Sequence, residues 1–148
     1  MSIAPRKMGA GELATRVADR PARGGWLVLL APPPDMAEAA GAVAREIEIM
    51  ADLEVRRVDS PTSSAELAKR IAMPGVLVVS GLEGFSQEEW GRLDLLRSRL
   101  QRDQPVIMVL STPAIERLMR GAPNLASWLL DVFLHGLVLR ENPRAPSS

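Results

Sequence analysis

The sequence predicts an α/β fold, a three-layer α/β/α sandwich built on a mostly parallel five-stranded sheet. Two observations carry this prediction. Unbroken apolar runs of strand length recur along the chain, as expected of strands buried on both faces, and segments with helical spacing separate them. Such alternation implies crossover connections and therefore parallel strands. The length of 148 residues fits a single domain with one core.

Both ends of the chain are polar, contain proline and lack periodicity, so we expect flexible segments at 1–10 and 141–148. The single α/β domain is predicted over 11–140, and a short helix over 12–19. The first core strand is "WLVLLA", residues 26–31. The helix that follows repeats apolar residues at helical spacing, and "EVRRV" at 54–58 predicts a short strand nearer an edge.

The remaining elements follow the same rule. A helix begins at Ser63 or Ser64, and "GVLVVSG" at 75–81 is the next buried strand. Ser86 is the expected N-cap of another helix, with Glu89 completing a capping box. After the strand at 105–111, Thr112 is the expected cap of a helix that breaks at 121–123. The last strand is predicted at 132–139.

Composition excludes several classes of function. Formal net charge is zero, so no long-range field favours nucleic acid or an anionic membrane. The chain has no cysteine and one histidine, so we expect no thiol chemistry, no metal site and no cofactor. No stretch resembles a signal peptide or a membrane span, which predicts a cytoplasmic protein. The abundance of arginine, alanine and proline suggests a bacterial source with a GC-rich genome.

In an open parallel sheet, ligands bind at the carboxyl ends of the strands. The candidate positions are therefore those just after each strand: 32–36, 59–62, 80–84, 111–112 and the surroundings of His135. Three prolines, Pro32 to Pro34, occupy the first of these loops.

Across residues 24–140, the order of elements resembles the core of P-loop NTPases, particularly AAA+ and signal-transduction ATPases. "APPPDMAE" stands where that superfamily has a loop of the form G-P-P-G-x-G-K-[ST], with Ala37 at the lysine and Glu38 at the magnesium-binding hydroxyl. "VLVVSGLEG" stands where the family has hhhhDGLD, with Ser80 at the first aspartate and Glu83 at the later acid. Ser111 and Thr112 stand at the polar sensor position.

The resemblance is in layout and not in chemistry. Prolines supply no N–H to a phosphate, Ala37 supplies no charge, and Glu38 would repel phosphate. Ser80 cannot hold Mg²⁺ as an aspartate does. We therefore expect no ATP hydrolysis, no catalytic residues and degenerate nucleotide-site positions, which are Pro32, Pro33, Pro34, Asp35, Ala37, Glu38, Ser80, Glu83 and Ser111.

Other readings carry less weight. A hydrolase could combine Ser80, His135 and an acid (Asp59 or Glu83), but "VVSGLEG" lacks the G-x-S-x-G elbow. A pseudo-receiver domain has the same element order with a different strand order, 2-1-3-4-5. A P-loop order would instead place another strand between residues 76–80 and 27–31. A nucleotide-binding switch or enzyme with an atypical site is a further alternative.

The sequence thus favours a non-catalytic P-loop-NTPase-like domain that serves protein–protein interaction or regulation. Its partner would be a protein, either an ATPase relative or another copy of the chain. Trp26 and Trp90 fall in predicted core segments, and Trp128 is expected to be partly exposed. The candidate interface residues are Trp128, Leu125 and Leu129.

Overall fold

A computed structural model describes residues 6–7, 13, 17 and 25–134. One parallel sheet of six strands forms its centre. The strands are β1 (Arg6–Lys7), β2 (Gly25–Leu30), β3 (Val55–Asp59), β4 (Val76–Ser80), β5 (Pro105–Leu110) and β6 (Leu129–Leu134). The α-helices are α1 (Met36–Ala51), α2 (Ser64–Ile71), α3 (Gln87–Leu95), α4 (Thr112–Gly121) and α5 (Pro123–Ala126). Short 3₁₀ turns lie at Pro33–Asp35 and Arg97–Arg99.

The strands are ordered β1-β6-β2-β5-β4-β3 across the sheet. Strand β5 therefore lies between β2 and β4, with Leu27 and Val78 both paired to Ile107. This is the arrangement that the P-loop resemblance predicts. A receiver would place its third core strand directly beside the first, so the pseudo-receiver alternative is wrong in its strand order.

Helices cover both faces of the sheet, so its central strands are buried on each side. Alternate residues of β2 point in opposite directions: Val28 packs with α2 to α5, and Leu29 packs with α1. Leu13 and Val17 are helical and join the core on the α1 face. Trp26 and Trp90 are 2% and 0% exposed, as the sequence predicts for core residues.

Serine hydroxyl groups cap the N-termini of three helices. The oxygens of Ser63, Ser86 and Ser111 accept the N–H of the residue three positions on, so Ser111 is the cap of α4 in place of Thr112. Ser86 caps α3 as predicted, but the Glu89 carboxylate accepts the backbone N–H of Ser64, at 2.9 Å, and not that of Ser86. The break between α4 and α5 falls where it was predicted, at 121–123.

Two expectations about the sheet need correction. The sheet has a sixth strand, because Arg6–Lys7 pair with β6 instead of fraying. The last strand begins at Leu129, three residues earlier than predicted, because the chain turns directly from α5 into the sheet. Residues 135–148, with His135 and the predicted C-terminal tail, lie outside the described residues. Within the described part of the chain, no helix is both long and apolar enough to cross a membrane.

Candidate functional site at the carboxyl edge of the sheet

The loop after β2 is a tight turn that leads directly into a helix. Pro32 is extended, a single 3₁₀ turn spans Pro33–Asp35, and α1 begins at the next residue. Pro32 to Pro34 are exposed, and the following Met36 is buried against the sheet face that α1 covers. The prolines fix φ near the value that this turn requires, so the loop has little freedom to change shape.

Every backbone N–H from Ala31 to Met36 is absent or already used. The three prolines have none. Ala31 donates to the Leu110 carbonyl at 2.9 Å, Asp35 donates to that of Pro32 at 2.9 Å, and Met36 donates to that of Pro33. The first N–H is part of the joint between β2 and β5, and the other two close the 3₁₀ turn.

This turn does not fit the phosphates of a nucleotide. A phosphate-binding loop turns several free N–H groups inward around the anion. Opening this one would break its own hydrogen bonds, and the prolines would still supply no donors. Ala37 and Glu38 are exposed on the first turn of α1, so this stretch presents a methyl group and a carboxylate and no cation.

The neighbouring strand ends, those of β3 and β4, are tied to each other. Ser80, 6% exposed, donates its hydroxyl to the Asp59 carboxylate at 2.8 Å, and its carbonyl accepts the Ser60 N–H at 2.8 Å. Ser60 and Gly81 both have positive φ, 52° and 78°. A Cβ on Gly81 would lie 2.7 Å from the Ser60 nitrogen. Only glycine therefore fits where the segments that follow β3 and β4 cross.

A second group of side chains joins the end of β4 to the start of α4. The Glu83 carboxylate accepts both the hydroxyl and the N–H of Ser111, and the Ser111 oxygen caps α4 through Ala114. Arg117, one turn into α4, donates to the carbonyls of Glu83 and Phe85 at 3.0 and 3.1 Å. The structure thus brings Glu83 and Ser111 together, and it places Ser80 with Asp59 in a separate pair.

These contacts give the polar side chains at the strand ends hydrogen-bond partners within the fold. The Ser80 hydroxyl donates to Asp59, and His135, the base of the hydrolase alternative, lies outside the described residues. Within the same residues, no three histidine, aspartate or glutamate side chains converge as metal ligands. Glu38 is held apart from both side-chain groups on α1, exposed to solvent.

The candidate interface residues have different surroundings. Trp128 is half-buried, and its ring meets Trp26 edge to face at 6.4 Å. Leu129 is half-buried against the same core cluster. Leu125 is fully buried, and its N–H donates to the buried Asp94 carboxylate at 2.7 Å, so its assignment to an interface is wrong.

Several positions with defined roles gave no sequence signal. Arg117 and Gly81 act through residues distant in sequence. Arg102 donates to the carbonyls of Ile71, Gly75 and Gln104, and burial lowers the pKa of its guanidinium. It also borders an open depression of about 620 Å³ beside Trp128, at the amino ends of the strands and away from the predicted site.

Comparison with known proteins supports the fold alone. Neither a scan against protein-family models nor a search of curated proteins gives a match. Among solved structures, the chain is similar to the Aeropyrum pernix ORC2 protein in its ADP form, with a TM-score of 0.57 and 11% sequence identity. The match covers 90% of this chain and 50% of that one, so this chain spans about half the length of that protein. The chain therefore shares an α/β fold with part of that protein.

Proposed function

We propose that this chain is a non-catalytic P-loop-NTPase-like domain that acts as a protein–protein interaction or regulatory module in the bacterial cytoplasm. One observation carries the proposal: from Ala31 to Met36, no backbone N–H is available to a phosphate. The loop occupies the place in the fold where a nucleotide would bind, and its donors hold the sheet and the turn together.

The neighbouring strand ends support the same conclusion. Ser80 is hydrogen-bonded to Asp59, and Glu83 to Ser111. The polar groups that could assist a reaction therefore connect elements of the fold. A fold whose usual site is closed in this way has its outer surface left for function. A protein partner, either an ATPase relative or another copy of this chain, is the kind of ligand that such a surface serves.

The proposal is tested first by its negative half. Isothermal titration of the full chain with ATP, ADP and GTP, each with Mg²⁺, should show no binding, and an active P-loop NTPase in the same buffer is the positive control. Thermal unfolding should be unmoved, whereas a ligand at 100 times its Kd would stabilise the chain by about 2.7 kcal/mol. A saturable heat with any nucleotide would contradict the proposal.

The positive half needs a partner. The tagged chain, cross-linked in cells of its source organism, should retain a defined protein in stoichiometric amount, and a heat-denatured sample should not. Recovery of nucleotide in place of protein would favour the nucleotide-binding switch instead.

A further inference from the structure

Four large apolar side chains of the described residues are exposed: Ile49, Met50, Met73 and Leu95. Ile49 is 74% exposed at the end of α1, and Leu95 is 81% exposed at the end of α3. Monomeric proteins expose isolated apolar residues routinely, so exposure alone decides nothing. The charges of the surrounding side chains distinguish two surface patches, one at the end of α1 and one between α2 and α3.

The first, which we call the tip patch, consists of Glu46, Glu48, Ile49, Met50 and Asp52. Three of these five residues are acidic, and Arg45, one turn before Ile49, is the basic side chain beside them in the helix. None of the three acids forms an ion pair with a described residue. The tip patch therefore consists of two apolar side chains surrounded by three carboxylates, and its net charge is negative.

The second, which we call the groove patch, lies where α2 meets the end of α3. A groove of about 640 Å³ there is lined by Ala65, Ala68, Ala72 and Leu96, with Glu66, Lys69 and Arg99 also bordering it. Leu95 precedes Leu96 in the chain but is not one of the residues that line the groove. The Glu66 carboxylate accepts both the N–H and the hydroxyl of Thr62.

The two cations are less occupied. Neither Lys69 nor Arg99 forms an ion pair with a described residue, although Lys69 helps to lower the pKa of Glu66. The groove patch therefore combines an apolar lining with two cations and one acid, Glu66, so its net charge is positive and opposite in sign to that of the tip patch.

From this complementarity we propose that the groove patch binds the tip patch of a second copy of the same chain. Ile49 would enter the apolar groove, with Glu48 and Asp52 facing Lys69 and Arg99. One chain cannot join its own two patches, because α1 covers one face of the sheet and the groove patch lies on the other. This inference rests on the proposed function and names a partner for it.

Two different patches in contact make a head-to-tail interface, which leaves one patch free at each end. Assemblies can therefore grow beyond a dimer. The patches are small and polar at their edges, so we expect a weak association with a Kd on the order of 100 µM. Salt should weaken it by screening the facing charges.

Sedimentation equilibrium of the full chain from micromolar to millimolar concentration tests the inference. The mean mass should rise with concentration and fall with added salt. Ile49→Ala removes the apolar side chain of the tip patch. Ala72→Glu places a carboxylate on the lining of the groove patch, where it would face the acids of the tip patch, and each variant should weaken association about tenfold or more. Glu116→Gln and Arg120→Gln, single charge changes on exposed positions of α4, are the matched controls and should associate as the parent chain does.

A mixture of the two patch variants gives the decisive result. Each variant retains one intact patch, so the mixture should form a one-to-one heterodimer that grows no further. A parent chain that stays monomeric throughout, patch variants that associate normally, or a mixture that stays monomeric would each overturn the inference. The nucleotide titrations are independent of these outcomes, so failure of self-association leaves the proposed function standing, and nucleotide binding would remove that function alone.

Discussion

The loop after β2 and the loop after β4 occupy corresponding places at one edge of the sheet, but they are held in different ways. The first is fixed by its backbone, with three prolines and a 3₁₀ turn whose N–H groups bond to nearby carbonyls. The second is fixed by side chains from distant elements. Asp59 accepts the hydroxyl of Ser80, Glu83 accepts the hydroxyl of Ser111, and Arg117 donates to the carbonyls of Glu83 and Phe85.

The difference shows two routes to the same end. In the first loop every backbone N–H is absent or bonded within the protein, and at the second the side chains of Ser80 and Glu83 are bonded within the protein. In the first loop the arrangement is local and legible in the sequence. In the second it depends on long-range contacts, which single substitutions can break one at a time.

The largest effect should come from Gly81→Ala in the second loop. The substitution forces a side chain into a positive φ and into contact with Ser60. Strain and overlap together should lower the free energy of unfolding by on the order of 3–5 kcal/mol. Urea denaturation measures this, and Gly84→Ala, where a Cβ would meet nothing within 4 Å, should have little effect. Equal losses at the two glycines would show that the crossing with Ser60 is not tight.

A smaller effect should separate Ser111 from Thr112. Ser111→Ala removes both the cap of α4 and a hydrogen bond to Glu83, and should cost about 2 kcal/mol in denaturant unfolding. Thr112 is exposed, so Thr112→Ala should stay within about 0.5 kcal/mol of the parent chain. The reverse order would restore Thr112 as the cap.

Acid titration tests the contact between α2 and α3. The Ser64 N–H, followed by Arg92, lowers the pKa of the Glu89 carboxyl in the folded chain. The resulting stabilisation is complete above the ordinary glutamate pKa, about 4.3, and is lost as pH falls through the lower folded value. Glu89→Gln should therefore flatten the acid limb of a stability–pH curve, and Glu88→Gln, at the exposed neighbouring position, should leave it unchanged. Identical acid limbs would mean that the Ser64 contact does not form.

The smallest effect should come from supplying the first loop with its missing charge. Ala37→Lys places a cation where P-loop proteins have one, but it creates no free N–H in the turn before it. We expect no measurable ATP binding by titration calorimetry. Binding by this variant would show that only the lysine was lacking and that the backbone can still hold a phosphate.

The sequence predicted the architecture well because the signals for it are local. Unbroken apolar runs such as residues 76–80 indicated strands buried on both faces, and the P-loop resemblance gave the position of β5 between β2 and β4. The three prolines of the first loop predicted from sequence alone that it has few N–H donors. The short strand Arg6–Lys7 was missed because two charged residues carry no strand pattern.

The hydrogen bonds of the second loop, and others between helices, could not be predicted, because they join residues far apart in sequence. Glu89 at the third helical position fits a capping box, yet its carboxylate reaches Ser64 on another helix. Leu125 was predicted at an interface, yet it is buried and its N–H donates to Asp94. In both cases the partner comes from an element distant in sequence, which no local pattern identifies.

Isothermal titration of the unmodified full chain with Mg²⁺ and ATP at millimolar concentration tests the central claim most directly. If the N–H groups of the first loop remain committed to the sheet and the turn, the heats should equal those of dilution. A saturable binding curve that is lost in the presence of excess ADP would show that the loop opens to hold phosphate, and would contradict the account.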